Sequence, residues 1–208
     1  MQDERERRHF SMLRSFAAAD FLTLANASCG MAAIFCCLRY AETQQPVLIW
    51  VAFGLFPLAL IFDILDGWVA RWRRRHSALG ADLDSLADIV SFGVAPAVLG
   101  YTLGMTGILD GAVLTFFVIC GIARLARFNV TASQMTGDQR VKYFEGAPVP
   151  TSVLVVLVLV VAYMTGNVHE ELWGGTLHVG PWRLHPLVLI YGVSGSAMIS
   201  ATLRFPRP

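Results

Sequence analysis

The sequence predicts an all-α integral membrane protein: six transmembrane helices preceded by an amphipathic juxtamembrane helix. Three observations carry this expectation. The 208 residues are 55% hydrophobic and 15% charged, with a mean hydropathy of +0.57, far more apolar than a water-soluble domain of this size. Six apolar runs approach the roughly 20 residues that cross a bilayer as a helix. In a six-span layout, 14 of the 16 positive residues fall on one side, leaving Arg39 and Arg183 on the other. Positive residues collect in short cytoplasmic loops, so both termini are expected in the cytosol.

Residues 1–19 read as a cytosolic juxtamembrane segment and 20–208 as one six-span domain. In the leader, Phe10, Leu13, Phe16 and Ala17 recur at helical spacing among Arg7, Arg8, His9 and Arg14, the pattern of a helix lying in the membrane surface; a solvated basic leader is the alternative. A cleaved signal peptide is not expected, because the following apolar run is long and no small-residue cleavage site punctuates it. The spans are expected near Phe21 to Leu38, Val47 to Val69, Leu83 to Leu103, Ile108 to Phe128, Pro148 to Met164 and Pro186 to Leu203. The β-branched run Val153 to Val161 would suit a strand in water, but in lipid a helix satisfies its own backbone. Gly100-x3-Gly104 and Gly107-x3-Gly111 have the small-residue spacing that permits close helix contact. Trp173 and Trp182 suit an outer interfacial belt. The stretch from Thr131 to Gly146 reads as a loop, either a flap or an ordinary solvated connection.

Several chemistries are excluded by what is missing. Cys29, Cys36, Cys37 and Cys120 fall inside predicted spans with no C-x2-C pair, and none of the five histidines pairs with a cysteine at a zinc spacing. There is no G-x4-G-K-[ST] loop and no G-x-S-x-G elbow. No nucleic-acid partner is expected.

The strong chemical signal is Asp63-x2-Asp66-Gly67-x2-Ala70-Arg71-x8-Gly80-x3-Asp84-x3-Asp88. At about 100° per residue, Asp63, Asp66, Gly67 and Ala70 share one helix face, and Gly80, Asp84 and Asp88 share a face on the next segment. Four carboxylates at the edge of a low-dielectric slab repel one another unless cations neutralise them. Oxygen ligands of this kind suit magnesium, manganese or calcium. The simplest reading is a metal site that also holds phosphate. Asp82 lies off the Asp84 and Asp88 face and reads as a loop or cap residue.

This string resembles the signature of the CDP-alcohol phosphotransferase family at every position. Three further blocks, Asp84 to Ala97, Arg124-Leu125-Ala126-Arg127-Phe128-Asn129 and Phe144-Glu145-Gly146-Ala147-Pro148-Val149-Pro150, resemble the phosphatidylserine synthase branch, with Ala147 standing where a larger aliphatic residue is expected. The resemblance implies transfer of a phosphatidyl group from CDP-diacylglycerol to the hydroxyl of L-serine, with release of CMP. It implies two divalent cations, Mg2+ or Mn2+, a homodimer, and a prokaryotic cytoplasmic membrane with a cytosolic active site.

By the same resemblance, Asp63, Asp66, Asp84 and Asp88 ligate metal, and Asp88 also accepts the serine proton. Asn26 and Ser77 match nucleotide-contacting positions, although Asn26 could instead bond a neighbouring helix. Gly67 lets the pyrophosphate approach the helix backbone, or serves helix packing. Arg71 contacts phosphate through its planar fork, or merely sets topology. Arg124 and Arg127 could hold the serine carboxylate or a phosphate oxygen, or anchor the span at headgroup level; Ser91 could line the acceptor pocket. The competing acceptors are glycerol phosphate, inositol phosphate and choline, and the competing donor is an archaeal ether lipid. A divalent-cation transporter is the alternative of another class, since carboxylates inside membranes also mark ion paths.

Overall fold

The fold is given by a computed structural model that describes residues 18–73, 78–134, 143–145, 148–168, 172–200 and 204–206. The expected amphipathic leader, apart from Ala18 and Ala19, lies outside the described residues.

Helix α1 (Ala18–Thr43) and helix α2 (Pro46–Arg73) form the most extensive pairing in the molecule. The chain reverses over two residues. Gln44 adopts a left-handed φ of 54°, and its N–H caps the Tyr40 carbonyl at 2.7 Å. Pro46 stands first in α2, where its missing donor costs nothing. The buried positions recur at helical spacing: Cys29, Ala33, Cys37 and Tyr40 in α1, and Ile49, Ala52, Phe53, Phe56 and Ala59 in α2. The cysteines are core residues, as the sequence suggests.

Outward faces carry Phe21, Phe35, Trp50, Leu154 and Val193, all exposed. Such a surface suits acyl chains rather than water. Four helical stretches are long and apolar enough to cross a membrane: Ala19–Thr43, Pro46–Ala70, Gly80–Thr102 and Ile108–Thr131. The chain is therefore an integral membrane protein. Two further apolar helices, Val149–Met164 and Pro186–Ile199, are shorter. At 1.5 Å per residue they reach about 24 and 21 Å, against a hydrocarbon core of roughly 30 Å.

The third span is not one regular helix. Helix α3 (Ala78–Asp88) passes through a π-helical turn, Ile89–Val94, into α4 (Ala95–Thr102). The Ala95 N–H reaches back to the Val90 carbonyl, and Pro96 follows with no donor of its own. Its carbonyl is useful instead, accepting the Tyr191 hydroxyl at 2.6 Å.

Helix α5 (Ile108–Gln134) runs further than the fourth span was expected to, and it takes in Thr131 to Gln134, which the sequence suggested as loop. Strand β1 (Tyr143–Glu145) pairs antiparallel with β4 (Arg204–Pro206), placing Glu145 opposite Arg204. Between them come a 3₁₀ turn at Val149–Thr151, α6 (Ser152–Met164), a hairpin of β2 (Leu177–Val179) with β3 (Trp182–Leu184), a second 3₁₀ turn at Pro186–Val188, and α7 (Leu189–Ile199). The β-branched run is helical, as argued from lipid solvation.

Two glycines of the expected small-residue pattern serve contacts within the chain, whereas Gly111 faces open space: a Cβ at Gly100 would stand 2.7 Å from the Tyr191 hydroxyl of α7, and one at Gly107 would collide with the Arg183 carbonyl. Gly104 makes a turn at φ 126°.

The β2–β3 hairpin is fixed to the start of α5 by a buried clasp. Asp110 accepts the backbone N–H of Gly107 at 2.9 Å and that of His185 at 2.8 Å, and its carboxylate lies 2.6 Å from His185 Nδ1. A carboxylate facing Nδ1 draws a ring proton there, and Nε2 lies 3.2 Å from the Thr176 hydroxyl. Replacing Asp110 with Ala strands three donors, the two on His185 buried and the Gly107 N–H part-buried. The expected result is a loss of about 3 kcal/mol or more, read as a lowered unfolding midpoint in detergent; an unchanged midpoint would show the clasp to be idle.

Candidate active site

The aspartates sit one helical turn apart in pairs, Asp63 and Asp66 near the end of α2, Asp84 and Asp88 along α3. Helix α1 packs against both α2 and α3 and so sets their relation. Asp63, Asp66 and Asp84 each present a carboxylate oxygen, all within 4.8 Å of one another. Asp88 is buried, 6% exposed, and lies beside Asp63. Two faces read from the sequence thus converge on one cluster.

Helix α1 supplies partners for both sides of it. The Thr23 hydroxyl lies 2.6 Å from Asp66 Oδ2, and Asn26 Nδ2 donates to Asp88 Oδ1 at 3.3 Å. Asn26 is fully buried, and its Oδ1 has no partner. One turn further, α1 meets the π turn almost backbone to backbone: a Cβ on Gly30 would be 2.6 Å from Ser91 Cα. Ser91 closes this contact. Its hydroxyl lies 2.9 Å from the Asn26 carbonyl and 3.1 Å from that of Ala87, so its single proton is committed to backbone. Ser91 therefore fixes Asn26 against the helix that carries Asp88, whereas the sequence suggested a lining of the acceptor pocket.

The other expected residues are placed as follows. Gly67 is half-buried next to Asp66, and Arg71 lies one turn on, near the end of α2. Ser77 lies outside the described residues. Arg124 of α5 is half-buried within electrostatic reach of Asp88, and its Nε is buried without a partner. Arg127, nearly one turn on, is exposed. Asn129 holds α3 to α5, its Nδ2 donating to Ser85 Oγ at 3.0 Å.

Sequence reasoning missed Thr23 and Gly30. The signal for both was present, since Asp20, Thr23, Asn26 and Gly30 recur along one face of α1. Asp20 is buried and within electrostatic reach of Asp66.

The donor set fits divalent cations. Asp84 is within reach of both Asp63 and Asp66, and Asp88 of Asp63 and Asp84. The Arg124 guanidinium does not by itself balance four carboxylates drawn together in a poorly solvated place. All the first contacts are hard oxygens, which select magnesium, manganese or calcium over softer ions.

The sequence pattern of the CDP-alcohol phosphatidyltransferase family matches residues 16–189. The chain is 42% identical, over 96% of its length, to the CDP-diacylglycerol-serine O-phosphatidyltransferase of Saccharomyces cerevisiae, of which it spans 74%. It is 37% identical, over 74% of its length, to the archaetidylserine synthase of Methanothermobacter thermautotrophicus, spanning 60% of that protein. With the CDP-diacylglycerol-serine O-phosphatidyltransferase of Bacillus subtilis it shares 36% identity over 68% of its length, spanning 74% of the relative.

Proposed function

Because the chain belongs to the CDP-alcohol phosphatidyltransferase family, we propose that it transfers the phosphatidyl group of CDP-diacylglycerol to the hydroxyl of L-serine, giving phosphatidylserine and CMP. The observation that carries the chemistry is the convergence of Asp63, Asp66 and Asp84 beside a buried Asp88. The acceptor rests on the names of the relatives and on the blocks around Asp84, Arg124 and Phe144.

Asp63, Asp66 and Asp84 would hold two divalent cations, magnesium or manganese, with Asp88 sharing the second. Such ions, when bound, offset charge on the phosphate oxygens during an in-line displacement. Asp88 accepts the serine proton as the hydroxyl oxygen attacks the phosphorus that bears diacylglycerol, and the bond from that phosphorus to CMP breaks. Asn26 fixes the Asp88 carboxylate through its amide, while its Oδ1 remains available to the nucleotide. Gly67 leaves room for the pyrophosphate, Arg71 grips a phosphate oxygen, and Ser77 contacts the nucleotide. Arg124 and Arg127 face the acceptor side.

The two short apolar helices complete a six-span bundle with an amphipathic leader, both termini and the aspartates on the cytosolic side. The acyl chains of the donor stay in the bilayer and leave between helices, since withdrawing them into water costs about 0.8 kcal/mol per CH₂. Two copies associate as a dimer. The relatives span a yeast, archaea and bacteria, so the membrane is assigned by orientation rather than by kind of cell. The archaetidylserine synthase relative keeps an ether-lipid donor as a second reading. Ion transport is disfavoured because Asp110, the buried carboxylate at the other end of α5, is consumed by Gly107 and His185.

The test is CMP release by purified protein in liposomes with diacyl or ether-lipid donor and a panel of acceptors. Release with L-serine at least about tenfold above that with glycerol phosphate, inositol phosphate or choline is expected. Release with inositol phosphate but not serine would overturn the acceptor assignment.

A further inference from the structure

Ser152 opens α6 and is fully buried, yet its Oγ has no hydrogen-bond partner. That is unusual for a serine in the first turn of a helix, whose hydroxyl ordinarily finds a carbonyl one turn back. Here that carbonyl is taken. Pro148 O already accepts the Thr151 hydroxyl at 2.6 Å and the Thr151 N–H at 3.0 Å. The turn that delivers Ser152, Val149–Thr151, packs against both the π turn that follows Asp88 and helix α5, which carries Arg124. Arg124 Nε is the second buried orphan donor in this part of the bundle.

Two unfilled donors, one a hydroxyl at the start of α6 and one a guanidinium N–H on α5 within electrostatic reach of Asp88, stand on elements that both pack against the Val149–Thr151 turn, and together they have the chemistry of a carboxylate seat. A buried donor without a partner is destabilising, so a site that keeps two of them fits a ligand that supplies the acceptors. We propose that Ser152 Oγ and Arg124 Nε bind the carboxylate of the L-serine acceptor, so that Ser152 is a specificity residue for amino-acid over simple alcohol acceptors. This rests on the serine-transfer reading above. With the carboxylate held there, the hydroxyl of the same small molecule is free to reach Asp88.

The experiment compares wild type with Ser152→Ala and Ser152→Thr, measuring KM and kcat for L-serine, KM for CDP-diacylglycerol, CMP release with serinol (the same alcohol and amine without the carboxylate), and the unfolding midpoint without substrate. For Ser152→Ala, the KM for L-serine rises about tenfold or more, as expected when a hydrogen bond to a charged group is lost. The KM for CDP-diacylglycerol and the slow rate with serinol stay unchanged. The ligand-free midpoint does not fall, because a stranded hydroxyl has been removed, and Ser152→Thr recovers part of the serine affinity. An unchanged KM for L-serine in Ser152→Ala, or an equal loss with serine and serinol, would overturn the proposal while leaving serine transfer intact. A wild type that releases CMP with other acceptors but not with serine would instead overturn the functional reading.

Discussion

Replacing Asp88 with Asn lowers serine-dependent CMP release by about 10²- to 10⁴-fold, the range associated with loss of a positioned proton acceptor. The substitution keeps the shape of the side chain and a hydrogen-bonding oxygen for Asn26, which now donates to Asp88 at 3.3 Å. It removes one negative charge from a cluster in which Asp88 faces Asp63 and Asp84. The ligand-free protein should therefore be no less stable than wild type, and its unfolding midpoint in detergent checks this directly. Loss of activity with an intact midpoint separates chemistry from folding. Activity within a few-fold of wild type would remove Asp88 from the proton transfer and leave it at most a ligand.

The second large effect is on cation binding. Asp66 is 5% exposed, held by the Thr23 hydroxyl at 2.6 Å, and one of three carboxylates whose oxygens lie within 4.8 Å of each other. Manganese at about one hundred times its dissociation constant should stabilise the wild type by about 2.7 kcal/mol, since an ion that binds only the folded form shifts the equilibrium by mass action. In Asp66→Asn that gain should shrink to a small fraction, and CMP release should fall with it. The midpoint without metal should not fall, because repulsion in the cluster is relieved. A full manganese-dependent rise in the Asp66→Asn protein would mean that the cluster does not hold the ion.

Much of this was legible in the sequence, for identifiable reasons. A bilayer forces helices on an apolar chain, so composition and run length sufficed for the helical character and for α1, α2 and α5. The spacing of Asp63, Asp66, Asp84 and Asp88 put two carboxylate faces on two helices, and the fold brings three of them to one point with Asp88 alongside. What was hidden depends on contacts between distant segments. The break of the third span into α3, a π turn and α4 leaves no mark on hydropathy, and Pro96 explains it only once the register around Val90 and Ala95 is known. Gly30 looks like any glycine in an apolar helix until Ser91 is found against it. Ser91 itself was expected to face substrate because it follows Asp88 by nearly one turn, but a π turn rotates the chain and delivers its hydroxyl to the Asn26 carbonyl. Thr131 to Gln134 extend α5 because nothing in those four residues terminates a helix. The Asp110 to His185 clasp joins residues 75 positions apart, beyond the reach of any local pattern.

If the carboxylate cluster directs the serine oxygen to the phosphorus bearing diacylglycerol, that oxygen ends in phosphatidylserine and the CMP leaves without it. The measurement that tests it most directly follows 18O from the hydroxyl of labelled L-serine, using purified protein, CDP-diacylglycerol liposomes and manganese. The account predicts one labelled phosphatidylserine for each unlabelled CMP, with both products abolished by a chelator and restored by added metal. Label in the nucleotide product with release of phosphatidic acid, or phosphatidylserine formed equally well in the presence of the chelator, would contradict it.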